Sequence, residues 1–196
     1  KGGVGKSTVS VGLAFSFAKL GNKVLLIDMD EGLRCLDVML GIDETVVFDL
    51  GDILAGDELE NAIYPHPKIP NLHLIPAPSN LGSIEADALK TLALKLKANY
   101  DIVIFDFPAG IDFSLYTSLP LGTLFLTVAF PDPVTLRDAS VVSQKLDEIG
   151  VKSKLILNCF DYKRTKQKIY KSIDDIIDQS GLQLLGIVPR AQELNL

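Results

Sequence analysis

The first eight residues, Lys1-Gly2-Gly3-Val4-Gly5-Lys6-Ser7-Thr8, gather glycines, lysines and hydroxyls immediately ahead of an apolar run. A chain of phosphates asks for this set. It needs backbone N–H groups pointing inward, an approach so close that only glycine permits it, a lysine, and the positive end of a helix. Gly2, Gly3 and Gly5 would supply the approach, Lys6 the charge, Ser7 a hydroxyl for a magnesium ion, and a helix from Lys6 its dipole. A plain glycine-rich turn before a helix would not require Gly-Lys-Ser-Thr at this spacing. Further along lie acidic and glycine-rich clusters, Asp28-Met29-Asp30 and Asp106-Phe107-Pro108-Ala109-Gly110, and the amide Asn158.

Such groups act together only if the fold brings them to one edge. Each cluster follows a short apolar run: KVLLID (Lys23 to Asp28), DIVIFD (Asp101 to Asp106) and KLILN (Lys154 to Asn158), with similar runs at LHLIP (Leu72 to Pro76), GTLFLTVAF (Gly122 to Phe130) and LLGIVP (Leu184 to Pro189). Continuous apolar stretches are the pattern of strands covered on both faces. Helical stretches alternate with them at Lys6 to Leu20, Ser83 to Ala98, Pro133 to Ile149 and Gln167 to Ser180, with Asp132-Pro133 a strong helix start. The expected fold is therefore α/β, a mostly parallel twisted sheet with helices on both faces. Ligands of such sheets bind where strands end, which is where the acids and glycines fall.

The composition sets limits. With 196 residues, 47% hydrophobic and 22% charged, the chain suits one globular domain, 1–196, with a sizeable core. A net charge of -6 argues against a surface that holds nucleic acid by phosphate neutralisation. Cys35 and Cys159 fit neither a disulfide framework nor a C-x-x-C metal pattern. His66 and His73 have no carboxylate or cysteine at ligand spacing. No apolar run approaches the roughly 18 to 20 residues that span a bilayer.

The octet K-G-G-V-G-K-S-T resembles the deviant Walker A motif of the MinD/ParA family of P-loop ATPases. The resemblance extends over nearly the whole chain and is most specific in LLIDMDEGLRCLDVMLGI (Leu25 to Ile42) and YDIVIFDFPAGID (Tyr100 to Asp112). It is supported by VVFDLGDILAGDELENAIY (Val46 to Tyr64), LHLIPAP (Leu72 to Pro78), PDPVTLRDASVV (Pro131 to Val142) and LGIVP (Leu185 to Pro189), and within the family it tends toward MinD. In this family a strand precedes the loop. The expectation is a single P-loop ATPase domain truncated at both ends, its first strand and C-terminal part missing from this chain.

The resemblance implies an ATP- and Mg2+-dependent switch that dimerises with ATP bound. The signature lysine, Lys1, would reach the partner's nucleotide; Lys6 would hold the β- and γ-phosphates of its own chain; Thr8 would contact the α-phosphate. Gly2, Gly3, Val4 and Gly5 would line the phosphate chain. Ser7, Asp28 and Asp106 are the expected metal-side ligands and Asp30 the residue orienting the attacking water, although Asp28 and Asp30 could exchange roles. Asn158 is the expected reader of the adenine edge, or else a strand-end turn residue, and Pro189 joins it on the nucleotide side. Phe107 stands where the family's MinD members usually have serine, and Cys35 where they usually have asparagine.

Expected partners are a second copy of the chain, a division-inhibitor or activator protein, and an anionic membrane reached through a C-terminal tail absent here. The expected place is the cytoplasm, peripheral at the inner face of a bacterial cell membrane, with a role in placing the division site. Two other readings stay open: a ParA-like DNA-segregation ATPase, kept alive by the basic run Lys163 to Lys171, which is otherwise a solvated helix face, and a flagellar-number regulator. An electron-transfer ATPase would need cluster-ligating cysteines that Cys35 and Cys159 do not provide.

Overall fold

Every one of the apolar runs becomes a strand, and two hydrogen-bonded sheets result. The computed structural model describes residues 2–110, 113–163 and 172–191. These divide into two compact units, Lys6–Leu121 and Lys1–Gly5 with Gly122–Leu196.

The Lys6–Leu121 unit holds α1 (Lys6–Lys19), β1 (Val24–Asp28), α2 (Leu36–Leu40), α3 (Leu50–Ala55), β2 (Tyr64–His66), β3 (Ile69–Ile75), α4 (Ala86–Lys97), β4 (Ile102–Asp106) and α5 (Phe113–Ser118). Its sheet has the order β2-β3-β1-β4. β1 runs parallel to β3 and to β4, and β2 pairs antiparallel with β3. Alternation sends Val24 and Leu26 to one face, where they join Val11, Ala14 and Ala18 of α1, Leu36 and Leu40 of α2, and Leu72 and Leu74 of β3. Leu25 and Ile27 turn to the other face and are equally buried, at 0% exposure. β1 is thus a central strand covered on both sides, and each such side chain contributes about 1.5–3 kcal/mol by leaving water. The small residues Ala14 and Ala18 let α1 lie close on the sheet. Asn71 then fastens the end of that helix, donating from Nδ2 to the carbonyls of Ala18 at 2.8 Å and Asn22 at 2.6 Å.

The other unit carries β5 (Phe125–Ala129), α6 (Pro133–Glu148), β6 (Ser153–Phe160), α7 (Ile173–Ser180) and β7 (Gln183–Pro189). Its strands lie in the order β5-β6-β7, all parallel. Leu155, Leu157 and Phe160 of β6 pack with Leu136 and Ala139 of α6 and Ile176 of α7. The Asp132-Pro133 start behaves as its chemistry requires: Asp132 Oδ1 accepts from the N–H of Val134 at 3.0 Å and of Thr135 at 3.1 Å.

Parallel-dominated sheets with covering helices are the α/β architecture expected from the strand runs. The differences lie in the short elements. α2, α3, α5 and β2 are too brief to leave a periodic signal, and α4 starts at Ala86 rather than Ser83, after Glu85 in extended backbone.

Candidate functional site

Within the Lys6–Leu121 unit, the start of α1 and the ends of β1 and β4 bring the acidic and hydroxyl side chains together. Parallel register sets Asp28 of β1 beside Asp106 of β4, and the loop leaving β1 is tied down at once by Met29 N–H donating to the Asp106 carbonyl at 3.0 Å. Both carboxylates are nearly sealed, at 1% and 4% exposure. Ser10, one helical turn beyond Ser7, donates its hydroxyl to Asp106 Oδ1 at 2.8 Å. The Ser7 hydroxyl lies close enough to favour the ionised forms of both Asp106 and the Cys35 thiol.

Burial governs the charges here. It holds the Asp106 carboxyl above the ordinary carboxylate range, against the hydroxyls of Ser7 and Ser10 and the Lys6 ammonium, which favour the ionised form; Asp30 pushes in the same direction as burial. Asp28 is raised by burial too, opposed by backbone N–H donors from Asp30, Leu36 and Cys35, and nudged further by the charge of Asp106. Burial likewise pushes the Cys35 thiol up. Two acids side by side in a dry setting are costly as anions, and a cation nearby would offset that cost.

Asp28 also organises the loop that follows it. Its Oδ1 accepts from Asp30 N–H at 3.0 Å, and its Oδ2 from the N–H groups of Cys35 and Leu36, both at 3.2 Å. Leu36 opens α2, so the carboxylate takes up orphan amides of that helix while fixing the backbone of Asp30. Asp30 is half-buried, and among the described residues nothing hydrogen-bonds its carboxylate.

In the other unit the glycine loop is shaped by its own geometry and by Asn158. Gly3 and Gly5 hold φ of 81° and 84°, the left-handed region where a side chain is strained. Gly2 and Gly3 are exposed, with nothing within 4 Å of where a Cβ would sit, so the approach to their backbone is open. Gly5 is the reverse case: a Cβ there would lie 2.2 Å from Asn158 Nδ2. Asn158 is buried at the end of β6 and donates from Nδ2 to the Val4 carbonyl at 2.9 Å, while its Oδ1 accepts from Cys159 N–H at 2.9 Å. Its amide therefore secures the loop, a task its expected role did not include. Cys159 adopts φ of 55° to make that turn. Pro189 is exposed at the end of β7 and pairs in register with Phe160.

The expected site residues fall as follows. Lys6, Ser7, Asp28, Asp30 and Asp106 share one neighbourhood, with Thr8 exposed on the same first turn. Gly2, Gly3, Val4 and Gly5 form another with Asn158, which meets Val4 and Gly5, while Pro189 closes β7 in register with Phe160. Lys1 lies outside the described residues, as do Ile111, Asp112 and the basic run beyond Lys163. Sequence reasoning missed Ser10, although its i+3 spacing from Ser7 puts both hydroxyls on one helix face. It also passed over Glu31, whose carboxylate grips a distant turn. Phe107 packs against Tyr116 of α5, ring centres 4.7 Å apart and planes tilted by 44°.

A glycine loop opening a helix, with buried acids closing neighbouring parallel strands, defines the class of P-loop nucleotide-binding α/β domains. All of residues 1–196 match the CobQ/CobB/MinD/ParA nucleotide binding domain. The chain is 35% identical to the septum site-determining protein MinD of Synechocystis sp., over 99% of this chain and 74% of that one. Among solved structures, MinD in the MinC:MinD cell division complex of Aquifex aeolicus shares the fold with a TM-score of 0.86 at 33% identity, covering 99% of this chain and 80% of that chain. MinD of Pyrococcus horikoshii, solved with Mg-ADP, gives 0.80 at 29%, covering 97% and 78%. The chain belongs to the MinD branch of this nucleotide-binding family.

Proposed function

We propose that the protein is a magnesium-dependent ATPase whose ATP-bound form dimerises, a MinD-type switch acting in placement of the cell division site. The observation that carries this reading is the pair of buried carboxylates, Asp28 and Asp106, set in register at the ends of β1 and β4 with the Ser10 hydroxyl donating to Asp106. All the offered donors are oxygens, the chemistry of a hard cation. Among the described residues no three His, Cys, Asp or Glu side chains gather as a metal cage. Magnesium is held by one or two carboxylates together with phosphate oxygens and water.

When bound with ATP, magnesium would neutralise charge on the β- and γ-phosphate oxygens. Around it, Ser7 would turn its Oγ lone pair to the ion, and Asp106 and Asp28 would balance its charge from the sheet edge. The Lys6 ammonium would lie along the phosphates, Thr8 at their inner end, and the backbone of Gly2 to Gly5 would line them. Asn158 and Pro189 would border the base. Asp30 would accept a hydrogen bond from the attacking water and so hold it in line. Lys1 would add a positive charge at the partner's transferring phosphoryl group, the task of an arginine finger, which is worth roughly 10³ to 10⁵ in rate in related enzymes.

The MinC:MinD complex of Aquifex supports a division-inhibitor partner for the dimer. Peripheral attachment to the inner face of the cell membrane belongs to the same reading; among the described residues no helix is long and apolar enough to cross a membrane. The test is co-sedimentation with anionic vesicles alongside phosphate release. We expect Mg-ATP to drive binding, Mg-ADP to release it, and EDTA to stop phosphate release. Retention on DNA with ATP but not on vesicles would replace membrane positioning by a DNA-segregation role.

A further inference from the structure

Asp30 carries the proposed water-orienting carboxylate on a loop, and loops are mobile unless something fixes them. One end of this loop is fixed by Asp28, which accepts from Asp30 N–H. The residue on the other side is Glu31, and its carboxylate reaches across the sheet edge to the turn ahead of α4. There Oε2 accepts from Gly82 N–H at 2.9 Å, and Oε1 accepts from Ser83 N–H at 2.7 Å and Ile84 N–H at 3.0 Å.

Three successive amides pointing into one concavity form an anion-binding nest, and Gly82, at φ of 76°, supplies the left-handed turn that makes it. The nest holds an anion from the chain itself. Two further ties join the same segments: Gly32 N–H donates to the Pro78 carbonyl at 2.9 Å, and Leu81 lies where a Cβ on Gly32 would touch it at 3.4 Å. α4 follows directly, with Glu85 in extended backbone as its N-cap.

We propose that Glu31 is a positioning residue: by clamping the loop after β1 onto the 82–84 nest, it holds the Asp30 carboxylate in the place where it orients water. The inference rests on the role given to Asp30 above. Glu31 acts through Asp30, since its own carboxylate is taken up by the three amides. A carboxylate accepting charge-assisted bonds from three amides is a stiff anchor, and displacement of a reacting group by about 1 Å costs up to about 100-fold in rate.

The experiment compares Glu31→Ala, Glu31→Gln, Asp30→Ala and the Asp30→Ala/Glu31→Ala double variant in the full chain. It measures affinity for a fluorescent ATP analogue and single-turnover phosphate release, with hydrogen exchange of the 82–84 peptide as an activity-independent readout. Glu31→Ala is expected to slow turnover about 10- to 100-fold, to leave nucleotide affinity within about threefold, and to speed exchange at 82–84. Glu31→Gln keeps one acceptor oxygen but points an amide N–H₂ at a donor, so it should fall between wild type and Glu31→Ala; it also keeps the test valid if Glu31→Ala does not fold. In the Asp30→Ala background, removing Glu31 should cost little more, since the two act as one unit.

Slow Asp30→Ala with normal Glu31 variants overturns the inference and spares the function. Loss of nucleotide affinity in step with turnover in the Glu31 variants also overturns it, because the clamp would then support the whole site. Full turnover by Asp30→Ala removes the Asp30 role, and the inference falls with it.

Discussion

Replacing Gly5 by alanine tests how Asn158 and the glycine loop depend on each other. The added Cβ would sit 2.2 Å from Asn158 Nδ2, where ordinary contact begins at 3.4 Å, so the amide must retreat by about 1.2 Å. That retreat breaks its 2.9 Å bond to the Val4 carbonyl and strands a buried acceptor, at a cost of about 1–3 kcal/mol. Holding alanine at φ of 84° adds about 1–2 kcal/mol. Alanine's lower unfolded-state entropy returns about 0.4–1 kcal/mol. The net loss is about 1–5 kcal/mol, which in a chain of this size lowers Tm by roughly 2–20 °C. Differential scanning calorimetry of Gly5→Ala, Asn158→Ala and the double variant reads it directly. With the amide gone, Gly5→Ala should cost only its backbone strain, leaving a coupling of about 1–3 kcal/mol between the two sites. Strict additivity, or a Gly5→Ala protein melting within a degree of wild type, would refute the contact argument.

Other consequences are independent of that one. Lys6→Ala should abolish binding of a fluorescent ATP analogue in an equilibrium titration, whereas Lys1→Ala should bind it normally and lose dimer-stimulated phosphate release. Asp106 is raised above its unfolded-state value, so its contribution favours folding at low pH and is lost as pH rises through the unfolded value near 4 toward the folded one. Asp106→Asn should therefore unfold at higher urea than wild type at pH 7 without nucleotide, yet bind Mg-ATP poorly. Cys159→Gly should relieve the left-handed strain at φ of 55° and raise stability by about 0.5–1 kcal/mol in urea unfolding.

The long parallel strands and the helices between them were legible because each strand is a continuous apolar run buried on both faces, and each long helix is periodic or capped by recognisable chemistry. β2 was not legible: Tyr64-Pro65-His66 is a three-residue edge strand containing proline, with no apolar run to announce it. α3 is held by a capping box in which Asp52 rather than glutamate returns the bond to Asp49, so the usual signature is absent. The acids of the site were visible as strand-end residues, but their partners were not, because sequence spacing does not reveal that Ser10 meets Asp106 across 96 positions or that Glu31 grips amides 51 to 53 residues away. The same limit explains Asn158, whose residue type fits base recognition and whose geometry adds the anchoring of Val4.

The central claim is that ATP, and not ADP, assembles two copies of this chain. Sedimentation velocity of the Asp30→Ala protein in Mg-ATP and in Mg-ADP tests it most directly, since that variant should bind ATP without consuming it. A dimer in Mg-ATP, a monomer in Mg-ADP, and a monomer in both when Lys6→Ala is added are the predicted results. The same species with either nucleotide would contradict the account.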